Sequence, residues 1–282
     1  MNDLNLREVR TMSEFDTLVK LQQAIWGMPV ESVTSSYVMM ATIHTGGVVI
    51  GAERNGELVG FCFAFVAWRG DRPFLWSHMA GVLPEYRGQG IGSMLKHAQR
   101  KWALEHDYSI ISWTFDPIQY GNANFNFRHL GCVADSYLVN HYGEMTDEIN
   151  AGLASDRLEV RWQLHDARVI ASAEAGLPDN IITPNDDGTF ILQADEAYEP
   201  LRATETAFEQ VTCFAEVPYN INTLKRDDIE KAKRWQIGLR WALQEAFQRG
   251  FFITNFAGKE NRGWYVLTRT YTEPTSKFRR ET

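Results

Sequence analysis

Cysteine is scarce in this chain of 282 residues: there are three, Cys62, Cys132 and Cys213, far apart and odd in number. That excludes a disulfide framework and the paired spacing of a thiolate metal site, so all three read as reduced, buried side chains. A basic excess is also lacking. Lys and Arg number 28 against 36 Asp and Glu, a formal net charge of -8, which speaks against a general nucleic-acid binder. No apolar run approaches bilayer length, so no membrane partner is expected. The first residues, Met1 to Arg7, lack the basic and apolar regions of a secretory leader, and a cytoplasmic location is the expectation. The histidines show no HExxH spacing, so no metal site is expected, and there is no GxSxG elbow for a serine nucleophile.

The chain does hold the composition of a globular protein, 44% apolar and 23% charged. Leu4 to Val9 reads as a strand and Glu14 to Ile25 as a helix with Ser13 as its N-cap. Ser35 to His44 reads as a second helix, closed by Gly46-Gly47. Val48 to Glu53 and Leu58 to Trp68 read as strands joined by an Asn55-Gly56 hairpin turn. Phe74 to Leu83 is a further strand, and Ile91 to Glu105 an amphipathic helix. On it Ile91, Leu95, Ala98 and Trp102 share the packed face, with Lys96, Arg100 and Lys101 off it. Ser109 to Phe115 is a buried strand, Asn122 to Leu130 a helix closed by Gly131, and Cys132 to Tyr142 a strand. His97 and His106 are expected to face solvent.

The order to about residue 145 is β-α-α-β-β-β-α-β-α-β, an α/β (α+β) arrangement on a mixed sheet. Later, Leu158 to Leu164, Gln210 to Val217, Phe251 to Phe256 and Trp264 to Thr270 read as strands and Asp227 to Arg249 as a long helix. Leu177 to Gly188 is the best linker candidate and Thr272 to Thr282 a polar tail. The expected division is 1–147 and 148–282. The second part reads either as a degenerate repeat of the first or as an unrelated α/β extension.

The most informative stretch is Arg87-Gly88-Gln89-Gly90-Ile91-Gly92, between a strand and a helix. Glycines there can expose consecutive backbone N–H groups at a helix N-terminus, which suits a pyrophosphate. A bare GxG is weak evidence, and a dinucleotide fold would need a βαβ unit with an acidic residue downstream.

Here the context differs. Val82-Leu-Pro-Glu-Tyr-Arg87-Gly-Gln-Gly-Ile-Gly92 resembles the acyl-CoA motif of the GNAT superfamily of N-acetyltransferases, at every position of its Arg/Gln-x-x-Gly-x-Gly/Ala pattern. Trp113 to Pro117, Asn122 to Phe127, Leu130-Gly131 and Asn140 to Gly143 look like a narrower group of two-part bacterial and archaeal members. Some of these are associated with N-acylation of amino acids, including succinyl transfer.

The resemblance implies a GNAT-type mixed sheet and acetyl-CoA or another acyl-CoA as substrate. The backbone of Arg87, Gly88, Gln89, Gly90, Ile91 and Gly92 would take the pyrophosphate. The backbone of Gly81 and Val82 would take the pantetheine arm, with Asn124 and Phe127 also at the cofactor. It further implies a small amine or amino acid as acceptor, with acetyl or succinyl transferred. A non-catalytic CoA-binding module and a peptide or protein N-acetyltransferase are the rivals, and a homodimer is plausible.

Many members place a tyrosine that protonates the leaving thiolate where this chain has Phe127. That either leaves the thiolate to depart with little help or moves the role to another donor, Tyr120, Asn124, Asn126 or Tyr142, of which Tyr142 is the candidate. For the base, His78 lies on the strand before the loop, in phase with Trp76, Ala80 and Val82. Either it is the base, or it is a packed histidine with satisfied nitrogens. A water relay to Glu85 or Asp116 is the other route. Arg72 and Arg128 could pair with a carboxylate on either substrate.

Overall fold

The computed structural model describes residues 4–143, 152–175, 184 and 188–272. Most of the expected linker and nearly all of the tail lie outside the described residues. The chain divides into two compact units between Trp113 and Thr114, ahead of the expected division near 147.

The first unit runs β1 (Leu4–Glu8), α1 (Met12–Trp26), α2 (Ser36–His44), β2 (Val48–Arg54), β3 (Glu57–Arg69), β4 (Arg72–Val82), α3 (Ile91–Glu105) and β5 (Ile110–Phe115). This is the expected order. Strands β1 to β4 are antiparallel neighbours, and β5 adds parallel to β4. The β2–β3 turn holds Asn55 and Gly56 at positive φ, 53° and 83°, as an Asn-Gly hairpin requires.

Helix α1 starts at Met12, with Thr11 as its N-cap and Glu14 closing a capping box, so the expected cap Ser13 is corrected. The Thr-x-x-Glu pair satisfies two terminal donors reciprocally, which Ser13 could not. Helices α1 and α2 cover one face of the sheet, where Phe15, Leu18, Leu21, Ile25, Met39, Phe61 and Phe63 form the core. Alternation sends Cys62 to the other face, where its Sγ lies 3.6 Å from the Leu95 carbonyl of α3.

The second unit begins with the end of β5. It continues through α4 (Tyr120–Ala123), a π-helical turn (Asn124–His129), β6 (Val133–Leu138), β7 (Arg157–Gln163), α5 (Ala167–Ala175), β8 (Phe190–Ala194) and β9 (Pro200–Arg202). Then come β10 (Thr212–Val217), α6 (Ile221–Asp227), α7 (Ile229–Gln248), β11 (Phe252–Lys259) and β12 (Arg262–Thr268). Its strands lie in the order β7-β6-β11-β12-β10-β8-β9. The single helix expected over Asn122 to Leu130 is a short α-turn passing into a π-turn, closed by Gly131 at φ 72°.

The helix expected over Asp227 to Arg249 is preceded by α6, and both are capped by side chains. Asn220 Oδ1 accepts from Thr223 N at 3.0 Å and Asp228 Oδ1 from Lys231 N at 2.9 Å. The strands before and after this helix pair, β10 and β11, have β12 between them. In the first unit the strands flanking α3, β4 and β5, are direct neighbours. All three cysteines are buried and outside any disulfide.

Candidate functional site

The glycine loop leaves backbone donors open at the start of α3. Gly88 and Gly90 hold φ 74° and 77°, a region that side-chain-bearing residues rarely adopt. Gly90 is the N-cap of α3 and offers no side-chain cap. The first turn closes with Met94 N on Gly90 O at 3.0 Å. Among the described residues, no backbone acceptor takes the N–H groups of residues 88 to 93. A Cβ placed on Gly88, Gly90 or Gly92 would meet nothing within 4 Å, so open space lies over all three. Donors without partners, a helix dipole and room above them suit an anion.

The two polar side chains of the loop are engaged with the protein. Arg87 Nη2 donates to Ile25 O at 2.9 Å and its Nε to Val82 O at 3.2 Å, tying the loop to the end of α1. Gln89 Oε1 accepts from Arg54 Nη1 at 2.9 Å. The Arg87 N–H is itself taken by Pro84 O at 3.2 Å, which corrects its expected place at the pyrophosphate, whereas Gln89 can still offer a ligand its N–H.

Strand β4 supplies an open edge. It pairs with β5 at Leu75 and Trp76 but stays paired with β3 up to Val82, so its last six residues run on without β5. Leu83 N donates to Val59 O at 2.9 Å. Alternation then directs the N–H and C=O of Gly81 to β3 and those of Ala80 and Val82 to the open edge. The expectation for Gly81 is therefore corrected: its amide belongs to the β3 ladder. It is glycine for packing, since a Cβ would come within 2.6 Å of Trp26. Of Val82's two groups, the carbonyl already accepts from Arg87.

The β3–β4 register shifts between Phe63, opposite Met79, and Ala64, opposite Ser77, which leaves His78 as an extra, unpaired residue. This is a β-bulge. It puts His78 and Met79 on the same face. Met79 packs on the α1–α2 core, and the His78 ring lies against Phe63 at 5.7 Å and Phe65 at 5.8 Å. His78 thus shares a face with Trp76, opposite Phe65, but not with Ala80, opposite Cys62, or with Val82. The expected phase is corrected by that one residue. The rest of the ring is exposed, and no hydrogen bond holds its nitrogens among the described residues. Burial against the two phenylalanines lowers its pKa from the ordinary histidine value.

On the α3 face, directly behind the bulge, sits a residue that sequence periodicity placed off the packed side. Lys96 is 3% exposed. Its Nζ donates to Ser77 Oγ at 2.9 Å and Gln99 Oε1 at 2.7 Å and stands 3.7 Å from the centre of the Trp113 ring. His97 is half-buried and His106 stacks on Trp102 at 3.8 Å, so solvent alone does not describe either.

The remaining candidates lie in the second unit. Phe127 is 2% exposed, enclosed by Phe115 at 6.0 Å and Tyr265 at 5.6 Å. Its ring is core, which corrects its placement at a cofactor. Asn124 Nδ2 lies 3.2 Å from His129 Nε2, while its buried Oδ1 has no hydrogen-bond partner among the described residues. It sits in the π-turn, a geometry frequent at functional sites. Tyr142 is 53% exposed, its hydroxyl 3.3 Å from Thr114 Oγ1 and its ring 5.2 Å from the Arg157 guanidinium. Asp116 accepts from Ile118 N at 3.1 Å, and burial raises its pKa.

Residues 15–130 match the model of the acetyltransferase (GNAT) family. That stretch is less than half of the chain. No curated protein matches the chain.

Solved structures similar to it include three proteins. The first is the ribosomal-protein-S18-alanine N-acetyltransferase from Escherichia coli, 13% identical over 57% of this chain and 94% of that one, with a TM-score of 0.46. A GNAT-family acetyltransferase from Streptococcus pneumoniae is 15% identical over 56% and 98%, also at 0.46. Naa50 from Arabidopsis thaliana, in complex with the bisubstrate analogue CoA-Ac-MVNAL, is 18% identical over 56% and 97%, at 0.45. None of these fixes an acceptor for this chain. Among the described residues no group of side chains could hold a metal ion, and no helix is long and apolar enough to cross a membrane.

Proposed function

We propose that the chain transfers an acyl group, acetyl or succinyl, from coenzyme A to the nitrogen of a small amine or amino acid. The observation that carries the reading is the uncapped N-terminus of α3 beside the open edge of β4, with His78 bulged out of that strand. The residues fit such a donor. The N–H groups of residues 88 to 93 would take the pyrophosphate, and the edge-facing N–H of Val82 would take an amide carbonyl of the pantetheine arm.

The bound thioester supplies an electrophilic carbonyl. His78 accepts a proton from the acceptor's ammonium, freeing the lone pair that forms the new N–C bond as the C–S bond breaks. The departing thiolate takes up the proton that the newly bonded nitrogen sheds. With Phe127 buried, the usual tyrosine has no counterpart, and a thiolate of moderate basicity can leave with little help.

The lowered pKa keeps the His78 ring unprotonated below the ordinary histidine range. The acid limb of kcat/KM is therefore expected below that range, and it should vanish in His78→Gln.

Phe127 also favours a second reading, a CoA-binding module without turnover. Thiol release from acetyl-CoA and succinyl-CoA, against a panel of D- and L-amino acids, amines and short peptides, separates the two. Acceptor-dependent release that falls ~10²-fold or more in His78→Ala, with acetyl-CoA binding intact, supports the enzyme. Binding without release from any acceptor supports the module. Release with peptides alone would replace the small acceptor by a peptide.

A further inference from the structure

We propose that Lys96 is a positioning residue for His78, acting through Ser77. The inference rests on the reading of His78 given above. Lysine is rarely buried to this degree, since taking an ammonium out of water is costly. A methionine would fill similar space without that cost. What lysine adds is a directed bond from α3 to the strand, Nζ to Ser77 Oγ at 2.9 Å, with Gln99 and the Trp113 ring fixing the head group from other sides.

Ser77 is the last β4 residue in register before the bulge, opposite Ala64, and His78 is the next. A strand that lost the bulge by slipping one residue would exchange the faces of the side chains that slip. It would carry Ser77 off the α3 face and His78 off the face of Phe63 and Phe65. The Lys96–Ser77 bond opposes that slip. It also joins two parts of the site: the helix whose first turn carries the glycine loop is bonded, at its sixth residue, to the residue that sets the direction of the imidazole. A base misplaced by about 1 Å can cost on the order of 10²-fold in rate, so such a bond acts on turnover more than on cofactor binding.

The test uses the full chain with Lys96→Met, Lys96→Arg, Ser77→Ala and the Lys96→Met/Ser77→Ala double variant. Each is assayed for thiol release, for acetyl-CoA binding by calorimetry, and for the imidazole ring shifts of His78 by NMR at one fixed pH. The expected result is a ~10- to 100-fold loss of kcat in Lys96→Met and a smaller loss in Ser77→Ala. The double variant should be no worse than Lys96→Met, Lys96→Arg should partly recover, and acetyl-CoA affinity should change less than threefold.

Independent, additive losses, or variants that melt earlier yet keep kcat, overturn the proposal. Should Lys96→Met fail to fold, Ser77→Ala decides alone. Should the native chain bind acetyl-CoA and release no thiol, the functional reading fails. The positioning role then stands or falls on whether the His78 ring shifts move in Ser77→Ala.

Discussion

Helix α3 in the first unit and helix α7 in the second begin in opposite ways. Asp228 turns its carboxylate onto the Lys231 N–H at the start of α7, and Asn220 does the same for Thr223 in α6. These helices satisfy part of their own terminal donors. Helix α3 begins at Gly90, which has no side chain to offer, under open space. A helix end left uncapped lowers stability unless something else accepts from it. Of the pair, α3 is the helix whose first-turn donors have no side-chain cap.

The sharpest way to break this comparison is Gly92→Asp. Gly92 has open space over it and no strained φ, so the substitution is tolerated sterically. A carboxylate in the first helical turn should leave the melting temperature unchanged or slightly raised. The same charge beside the pyrophosphate should weaken acetyl-CoA binding on the order of 10²-fold, like charges brought together costing several kcal/mol. Unchanged affinity by calorimetry would remove the pyrophosphate from this loop.

The second unit answers a different question, whether Phe127 is a lost catalytic tyrosine. Its ring is enclosed by Phe115 and Tyr265. Phe127→Tyr should then bury a hydroxyl without a partner, lowering stability by ~1–3 kcal/mol, with no gain in turnover. A rise in kcat would mean that the position reaches the reacting atoms after all. Asp228→Ala should cost ~1 kcal/mol in denaturant unfolding and leave acetyl-CoA affinity unaltered. An affinity loss there would end the distinction between the two helix starts.

These differences were unevenly legible in the sequence. The glycine loop, its flanking strand and helix, and the Asn55-Gly56 hairpin all rest on local residue chemistry, and the structure has them where the residues put them. The bulge at His78 was hidden, because period-2 reading cannot see one extra residue whose presence depends on the partner strand. Lys96 was hidden for a related reason. A charged residue at that position reads as a solvated one until Ser77, from another element, is beside it. Asn124 is named by sequence, but the orphaned carbonyl and the π-turn that make it informative belong to the folded backbone. Helix α6 and strands β8 and β9 are short, with little room for periodicity to accumulate.

The smallest effect tests whether the missing cap belongs to α3 or to the whole first unit. Helices α1 and α2 are capped, by Thr11 and Ser35. Glu14 closes the α1 box, its Oε2 accepting from Thr11 Oγ1 at 2.7 Å and Thr11 N at 3.0 Å while its Oε1 meets Arg7 Nη1 at 2.5 Å. Burial alone would raise its pKa. The Thr11 hydroxyl, the Arg7 guanidinium and the Thr11 and Arg10 amides outweigh that and hold it at about 2, below the ordinary 4.5. A depressed carboxylate pKa contributes stability that is present above the unfolded value and is lost as pH falls through the folded one. Glu14→Gln should therefore melt below the native chain at pH 6 by a few degrees at most, the ion pair being only partly shielded from solvent. That difference should shrink toward zero between about pH 4.5 and pH 2. A difference independent of pH would mean that the carboxylate's charge does not hold the α1 box. In that case α1 could not serve as the capped reference, within its own unit, against which the bare start of α3 is read.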